Sequence, residues 1–316
     1  MEGELVVSLT DVLQRLDAKK AILDKARPLP SASVRSLMED FHLRYIHETT
    51  ALEGNTLTLH ETEAVLEYGI TVHGKSLRDH LEVIDARNAL DFFAEAIKNK
   101  EPASEKIIMQ FHRMLMKGTL QEEAGFYRRI PVYIKGATHV PPNWRKVPEL
   151  MAEFESWLKK ATDVHPIGLA AQAHIRVARI HPFVDGNGRT CRLLVNYILM
   201  QHGYPPALYT AGNRDAYMQA LEDVERGNEE PFIRITAEAT EWMLDRYLNM
   251  VEEMGDDHST TATISKMPGG RTCSIRCQSS TAPVSTCRCV CGGKNHGTKT
   301  LTARNTEPAH HEEAKK

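Results

Sequence analysis

The stretch from His181 to Arg192, with the sequence HPFVDGNGRTCR, constrains the fold and the chemistry of this chain more than any other. Pro182 ends the preceding helix and forces a loop, because proline cannot continue the hydrogen bonding of a helix. Gly186 and Gly188 flank Asn187 in a turn whose backbone amides can converge at the start of the next helix, and such amides bind anions. The stretch therefore predicts an anion site between two helices.

The side chains of the same stretch supply the other groups that phosphate-ester chemistry needs. Arg189 and Arg192 are three residues apart, so they share a face near a helix N-terminus, where the helix dipole disfavours cations. Two guanidinium groups are favourable there if a polyphosphate binds between them. Asp185 offers a hard oxygen ligand for Mg²⁺, and His181 offers a base that titrates near neutral pH. We therefore predict a site at which a phosphate ester is made or broken.

Length and composition exclude several classes of protein. The chain has 316 residues, of which 41% are hydrophobic, and this is the composition of an ordinary globular protein. Its net charge of −3 argues against a nucleic-acid binder that works by overall charge. Its apolar runs are far shorter than the ~20 residues of a membrane span, and the N-terminus has no signal-peptide pattern. As written, the sequence predicts a soluble chain.

The last part of the chain, residues 258–316, differs from the rest. It has no aromatic residue, 16 Ser or Thr, and nine Lys or Arg against three Glu. With so few apolar groups to bury, it is predicted to be a disordered basic tail. Five of the six cysteines lie in it, and Cys287, Cys289 and Cys291 with His296 could bind a soft metal. Their spacing is tighter than that of structural zinc sites, so an inert tail is the preferred interpretation.

The remaining 257 residues are predicted to be mostly helical. Residues 1–30 form an N-terminal linker helix, and residues 31–257 form one domain in which apolar residues recur at helical spacing. One segment favours strands: Pro131–Pro142 contains two β-favouring runs around a Lys-Gly turn, so a hairpin is predicted there.

Two further patterns resemble catalytic motifs but are interpreted otherwise. Residues 69–76, GITVHGKS, match the phosphate-binding P-loop pattern, but no buried strand precedes them, so Ser76 is expected simply to cap the next helix. His47-Glu48 and His60-Glu61 begin like a zinc-protease helix, but each lacks a second histidine four residues after the first.

The motif His-Pro-Phe-x-Asp/Glu-Gly-Asn-Gly-Arg-x-x-Arg is the Fic-domain signature, and residues 181–192 match every fixed position. The resemblance extends from about Leu13 to Arg246, and in detail the chain resembles the catalytic part of the animal Fic-type protein adenylyltransferases of the endoplasmic reticulum. Residues 49–54, TTALEG, resemble the family's Ser/Thr-x-x-x-Glu-Gly inhibitory motif. The resemblance implies an all-α Fic fold, a helical bundle with a small β-hairpin flap at the active site.

The resemblance also implies residue roles. His181 would deprotonate a target Ser, Thr or Tyr hydroxyl, which attacks the α-phosphate of ATP. Asp185 would hold Mg²⁺ (or Mn²⁺), and Glu53 would pair with Arg192 and block productive ATP binding. Residues 134–139 resemble the family's flap, which would pair with target backbone as an added strand. The ATP-binding positions implied are Ile134, Lys135, Gly136, Asp185, Gly186, Asn187, Gly188, Arg189, Thr190, Cys191, Arg192 and Tyr217.

Two of these implications carry a qualification. Tyr217 would lie beside adenine, but a tyrosine of the core is an equal alternative. Glu225 stands where the family has an uncharged polar residue near the nucleotide.

The function that the resemblance implies is therefore transfer of AMP from ATP to a protein hydroxyl, with Glu53 as inhibitor and AMP removal as a second activity of the same site. Transfer of another nucleotide or of phosphocholine, and a non-catalytic nucleotide-binding module, are the alternatives. The implied partners are a protein substrate such as an Hsp70-type chaperone and a second copy of the chain, bound through Leu77. The compartment would be the endoplasmic reticulum if the N-terminus is incomplete.

Overall fold

The fold of the main part of the chain is helical. The computed structural model describes residues 7–134 and 136–257 together with strand segments 262–264, 273–277 and 287–290. Within these residues the all-α prediction is confirmed for the main part of the chain, and two one-turn 3-10 helices, Trp144–Lys146 and Ala211–Asn213, complete it. The ten α-helices described are α1 (Leu9–Ala26), α2 (Ser31–Ala51), α3 (Leu59–Tyr68), α4 (Leu77–Lys98), α5 (Glu105–Leu115), α6 (Val147–Lys160), α7 (Pro166–Ile180), α8 (Asn187–Gln201), α9 (Arg214–Glu225) and α10 (Glu230–Asp257).

Capping residues set the start of several helices. Thr58 and Glu61 form a reciprocal capping box at the start of α3, and Ser76 and Asp79 form another at the start of α4. The residues that resemble a P-loop thus connect two helices, with α3 in place of a strand, and Ser76 caps α4 as expected. No described helix combines the length and the apolar character that crossing a bilayer requires.

Helix α8 is the central element of the bundle, and it is buried along almost its whole length. Its largest interface is with α7. One side packs into a core that includes Val195 and Ile198, and the other packs Leu193 and Tyr197 into a second core with Phe111 of α5. Burial on both sides fixes the N-terminus of α8, because displacing it would expose both cores to water.

The predicted hairpin at Pro131–Pro142 is not present as a strand pair in the described residues of that segment. A backbone hydrogen bond from Ala137 to the carbonyl of Ile134 closes a turn instead. Pro131, Pro141 and Pro142 lack the N–H groups that a ladder needs, which disfavours pairing at the two ends of the segment. Side chains of other elements hold the segment, which we call the flap (residues 131–142). The described residues of the segment therefore form a turn in place of the predicted hairpin.

The chain also contains a small antiparallel sheet. Packing divides the chain into Met1–Leu248 and Asn249–Lys316. In the sheet, Ile275 lies opposite Ala262 on one side and Cys289 on the other. The strands are β1 (Ala262–Ile264), β2 (Cys273–Cys277) and β3 (Cys287–Val290), in the order β1-β2-β3.

These strands differ from the prediction that residues 258–316 form a disordered tail. Thr263, Ile264, Ile275 and Val290 are β-favouring residues that the low apolar content of the tail concealed. Cys291 and His296 of the metal interpretation lie outside the described residues, as do the other residues of 258–316 apart from the three strands. The boundaries after residues 30 and 257 stay predictions.

Candidate active site

The signature loop lies between α7 and α8, where the sequence predicted an anion site. His181 directly follows α7 in the left-handed conformation, with φ 50°, and Gly186 directly precedes α8 with φ 74°. The side chain of Asn187 closes the loop from inside: its Oδ1 accepts from the backbone N–H of Phe183 and its Nδ2 donates to the Phe183 carbonyl, both at 3.0 Å. The Asn187 side chain is thus a brace of the loop.

A histidine that the sequence analysis did not single out supports this loop from below. The ring of His112 in α5 stacks on Phe183, with 3.7 Å between ring centroids. Its Nδ1 accepts from the N–H of Gly125 at 2.9 Å, so its Nε2–H donates to the carbonyl of Asp185 at 3.0 Å. Burial lowers the pKa of His112 to about 4, which keeps the ring neutral in this tautomer. A side chain at Gly186 would lie 2.6 Å from the sulfur of Met116, so the loop needs glycine there.

The loop opens into a cavity of about 820 Å³. Residues from four separate parts of the chain line it: the end of α2, the flap, the signature loop and α9. It holds together many of the positions that the sequence singled out: Glu53, Ile134, Gly136, His181, Asp185, Gly186, Asn187, Gly188, Arg192 and Tyr217. Lys135, the remaining flap position, lies outside the described residues.

His181 is prepared to act as a base. Burial lowers its pKa to about 4, although a hydrogen bond between its Nδ1 and the Ala178 carbonyl, at 3.3 Å, acts in the opposite direction. The ring is therefore neutral at physiological pH. Because Nδ1 carries the proton that it donates to Ala178, Nε2 is the nitrogen that can accept a proton.

A buried arginine, Arg128, holds His181 and the flap in one frame. Its Nε donates to the carbonyl of His181 at 2.8 Å, its Nη1 to Ile130 at 3.1 Å and its Nη2 to Pro142 at 2.6 Å. The side chain is 1% exposed, and burial lowers its pKa. A sequence pattern could not reveal this residue, because its three partners are carbonyls whose position depends on the fold.

Arg192 forms an ion pair with Glu53 across the cavity. Arg192 is 2% exposed, and its Nη2 donates to Oε1 of Glu53 at 2.8 Å. Thr49 accepts two further bonds from it, through Oγ1 at 2.9 Å and through its carbonyl at 2.8 Å. Burial lowers the pKa of Arg192, but the Glu53 carboxylate and the hydroxyls of Tyr217 and Tyr45 together outweigh it, so the net pKa is raised. The two motifs that the sequence identified 139 residues apart thus meet through one ion pair.

Glu53 also covers the glycine turn. A Cβ atom at Gly188 would collide with Oε1 of Glu53 and would lie 3.0 Å from Nη1 of Arg192. The Glu53 carboxylate therefore lies against the backbone at the N-terminus of α8, where the sequence predicts an anion. In this structure the anion at that place is a side chain of the protein itself.

Asp185 and Arg189 belong to a second group of charges. Oδ1 of Asp185 accepts from the N–H of Gly186 at 2.7 Å, and Oδ2 accepts from Arg78 at 2.8 Å. Burial raises the pKa of Asp185, but the Gly186 amide and the two arginines outweigh it, so its net pKa is lowered. Arg189 is 1% exposed and lies 3.8 Å from a carboxylate oxygen of Glu82. Its Nε and Nη1 have no hydrogen-bond acceptor within the described residues.

Not all of the residues singled out from the sequence line the cavity. Thr190 and Cys191 are fully buried behind the loop, where Thr190 bonds the Gly186 carbonyl and Cys191 packs in the core. Tyr217 is 6% exposed and its hydroxyl lies 2.7 Å from Nε2 of His174, so it is a core tyrosine whose face borders the cavity. Leu77 lies outside the cavity at the start of α4, 72% exposed. Glu225 pairs with Arg179, at 3.1 Å, and with His139 of the flap.

One carboxylate, Asp185, can serve a magnesium ion here. Among the described residues no group of three His, Cys, Asp or Glu side chains could form a complete metal cage. Mg²⁺ commonly binds through one or two carboxylates together with substrate phosphates and water, so an ionised Asp185 beside an anion site fits that ion.

Comparisons with known proteins agree with this geometry. Residues 102–199 match the Fic/DOC family. The chain is 38% identical over 247 residues to the protein adenylyltransferase Fic of Drosophila virilis, an alignment that covers 75% of this chain and 50% of the fly protein. It thus spans about half the length of the fly relatives that it matches.

Solved structures give the same result. Fic-1 of C. elegans, residues 134–508, is 34% identical with a TM-score of 0.70, and the alignment covers 78% of this chain and 73% of that one. A Fic-domain signaling protein from Bacteroides thetaiotaomicron is 27% identical with a TM-score of 0.69, over 77% of this chain and 97% of that one. The chain belongs to the Fic/DOC family.

Proposed function

We propose that this chain is a protein adenylyltransferase, which transfers AMP from ATP to a hydroxyl group of another protein. The observation that carries the proposal is the cavity that joins a neutral His181, an ionised Asp185 and the buried Arg192. The fly relatives are named for this activity, which supports the assignment.

Each group of the cavity has a separate role in the proposed transfer of AMP. The oxygen of the target hydroxyl forms a bond to the α-phosphorus of ATP while Nε2 of His181 takes the hydroxyl proton. The bond between the α-phosphorus and the bridging oxygen then breaks, and pyrophosphate is released. The amides of Gly186 and Gly188 and the guanidinium group of Arg192 bind phosphate oxygens. Asp185 would hold Mg²⁺, which supplies positive charge that offsets the charge of the phosphates.

Glu53 gives this site an inhibited state. While Glu53 occupies Arg192, the γ-phosphate of ATP has to compete with a carboxylate that is already in contact. The same carboxylate could orient a water molecule for attack on the phosphorus of an AMP-modified target. His181 would then return a proton to the leaving hydroxyl oxygen, so AMP removal is proposed as the second activity.

The test uses two radioactive labels and one donor for the alternative reaction. A chain with Glu53→Gly is incubated with candidate proteins, including Hsp70-type chaperones, and with ATP labelled at the α- or the γ-phosphate. Label from the α-position alone on the target supports AMP transfer. Label from the γ-position indicates phosphate transfer, labelling only from a CDP-choline donor indicates phosphocholine transfer, and binding of ATP without labelled protein indicates a regulatory module.

We also propose that the chain forms a homodimer through the surface around Leu77. Leu77 is 72% exposed, and two residues a short way before it in the sequence are also exposed: Tyr68, at the end of α3, by 75% and Ile70 by 51%. Large apolar side chains exposed on a surface are typical of an interaction site where they form a patch. The exposure of Leu77 removes the alternative that it is a core residue.

Leu77→Asp is expected to give a folded monomer, because it places a charge in the dimer contact without disturbing the core. Light scattering after size exclusion measures the mass, and thermal unfolding checks that the melting temperature is retained. Ile22→Asp, at a leucine-sized side chain of α1 that is 54% exposed, is the matched control and should leave the mass unchanged. If both variants keep the wild-type mass, the Leu77 surface is not the interface.

A further inference from the structure

Arg78 forms a bridge between two carboxylates at the edge of the active site. It is the second residue of α4, and its side chain is 62% exposed. Its Nη2 donates to Oδ2 of Asp185 at 2.8 Å, and its Nε donates to Oε1 of Glu82 at 3.0 Å. A surface arginine thus occupies the carboxylate that the proposed function assigns to the metal ion.

Glu82 anchors this arginine independently of Asp185. The Glu82 side chain is 7% exposed, and its other oxygen, Oε2, accepts from the side chain of Asn55 at 3.0 Å. Arg78 and Glu82 are four residues apart on α4, a spacing that favours an ion pair. The hydrogen bond that Arg78 donates to Glu82 is the main cause of the raised pKa of Arg78. Arg78 can therefore release Asp185 and still keep a partner.

The positive charges around Asp185 work against a free divalent cation. Besides Arg78, Arg189 lies 3.9 Å from Oδ1 of Asp185, and it is buried, so water screens its charge little. An ion arriving alone would have to displace one guanidinium group and approach another. A nucleotide triphosphate that arrives with the ion brings negative charges that offset both.

We propose that Arg78 closes Asp185 to free divalent cations, so that the metal ion enters the site only together with the nucleotide. This inference rests on the proposed metal role of Asp185. Arg78 acts through Asp185 and is a positioning residue for the ion, because its release on nucleotide entry frees Oδ2. The exposed position of the side chain allows that release without any rearrangement of the core.

The test measures binding of Mn²⁺ by electron paramagnetic resonance, without nucleotide and with a non-hydrolysable ATP analogue. Without nucleotide, Arg78→Ala should bind Mn²⁺ about 3- to 10-fold more tightly than the wild type, since an exposed ion pair and a like charge are removed. With the analogue the difference should shrink, because Arg78 is then already displaced. Arg78→Lys should bind nearly as the wild type does.

Arg87→Ala is the matched control, because Arg87 also lies on α4 but pairs with Glu67, at 3.0 Å. It should leave Mn²⁺ binding unchanged. Equal nucleotide-free affinity of Arg78→Ala and the wild type would overturn the proposal. Asp185→Ala separates the two claims: if it binds Mn²⁺ with the analogue as tightly as the wild type, the metal role of Asp185 itself is wrong.

Discussion

Replacing His181 with alanine is expected to reduce AMP transfer by about 10²- to 10⁴-fold, the usual effect of removing a general base. Nε2 of His181 is the acceptor that the cavity provides, because Nδ1 is committed to the Ala178 carbonyl. The variant should still bind ATP, since the glycine amides and Arg192 are untouched. The comparison of kcat for transfer with the Kd for ATP checks both statements.

The pH profile gives this prediction a second measurement. Because burial lowers the pKa of His181 to about 4, the ring is neutral throughout the physiological range. Transfer measured as kcat/KM should therefore change little between about pH 6 and about pH 8, and should fall as the pH drops toward the pKa and the ring is protonated. A fall that centres near the pKa of an ordinary histidine, about 6.5, would contradict the buried environment.

His60→Ala is the control for this variant. His60 lies on α3 with its side chain 92% exposed, so its loss removes an imidazole without touching the cavity. It should transfer AMP at the wild-type rate. Normal transfer by His181→Ala would falsify the assignment of the base.

Glu53→Gly is expected to raise AMP transfer by roughly 5- to 30-fold. An ion pair with a buried arginine is worth more than a surface pair, but the Glu53 side chain is 38% exposed, so solvent screens part of it. If the ion pair favours Glu53 over the phosphates of ATP at Arg192 by about 1–2 kcal/mol, its removal raises transfer by roughly 5- to 30-fold. Glycine also clears the space in front of Gly188, where the carboxylate now lies.

The same variant should lose AMP removal, because the carboxylate that would orient the water is gone. Glu53 lies beyond the end of α2, in a turn, so glycine there interrupts no helix, and Arg192 keeps its two hydrogen bonds to Thr49. Transfer and removal are measured on the same target, with release of labelled AMP as the second readout. If transfer stays at the wild-type level and ATP affinity is unchanged, Glu53 does not inhibit the site.

The helices and the candidate groups of the signature loop could be predicted from the sequence because they depend on local pattern. Each of these features is encoded by a short stretch of sequence: the capping boxes that begin at Thr58 and Ser76, and the loop at His181–Arg192. The pairing of Glu53 with Arg192 is a contact between distant segments, and it could be expected only from the family resemblance.

The missed features depend on the fold itself. The hairpin prediction was wrong because side chains of other elements bind this segment: Glu222, for example, accepts from the backbone and the hydroxyl of Thr138. His112 and Arg128 carry no pattern that distinguishes them, since their partners are backbone groups from other elements. In the sequence Arg78 looks like an ordinary surface arginine, because its partner Asp185 lies close to it only in the folded chain.

The three hydrogen bonds from Arg128 to backbone carbonyls limit which part of the flap can move to fit targets of different shape. Ile130 and Pro142 stand just before the flap and at its far end, and both are tied to the guanidinium group that also holds the carbonyl of His181. Under the proposed function, adaptation to a target would be confined to the middle of the flap, around Tyr133, which is 83% exposed. The reacting hydroxyl would then meet a base of constant position whatever sequence surrounds it.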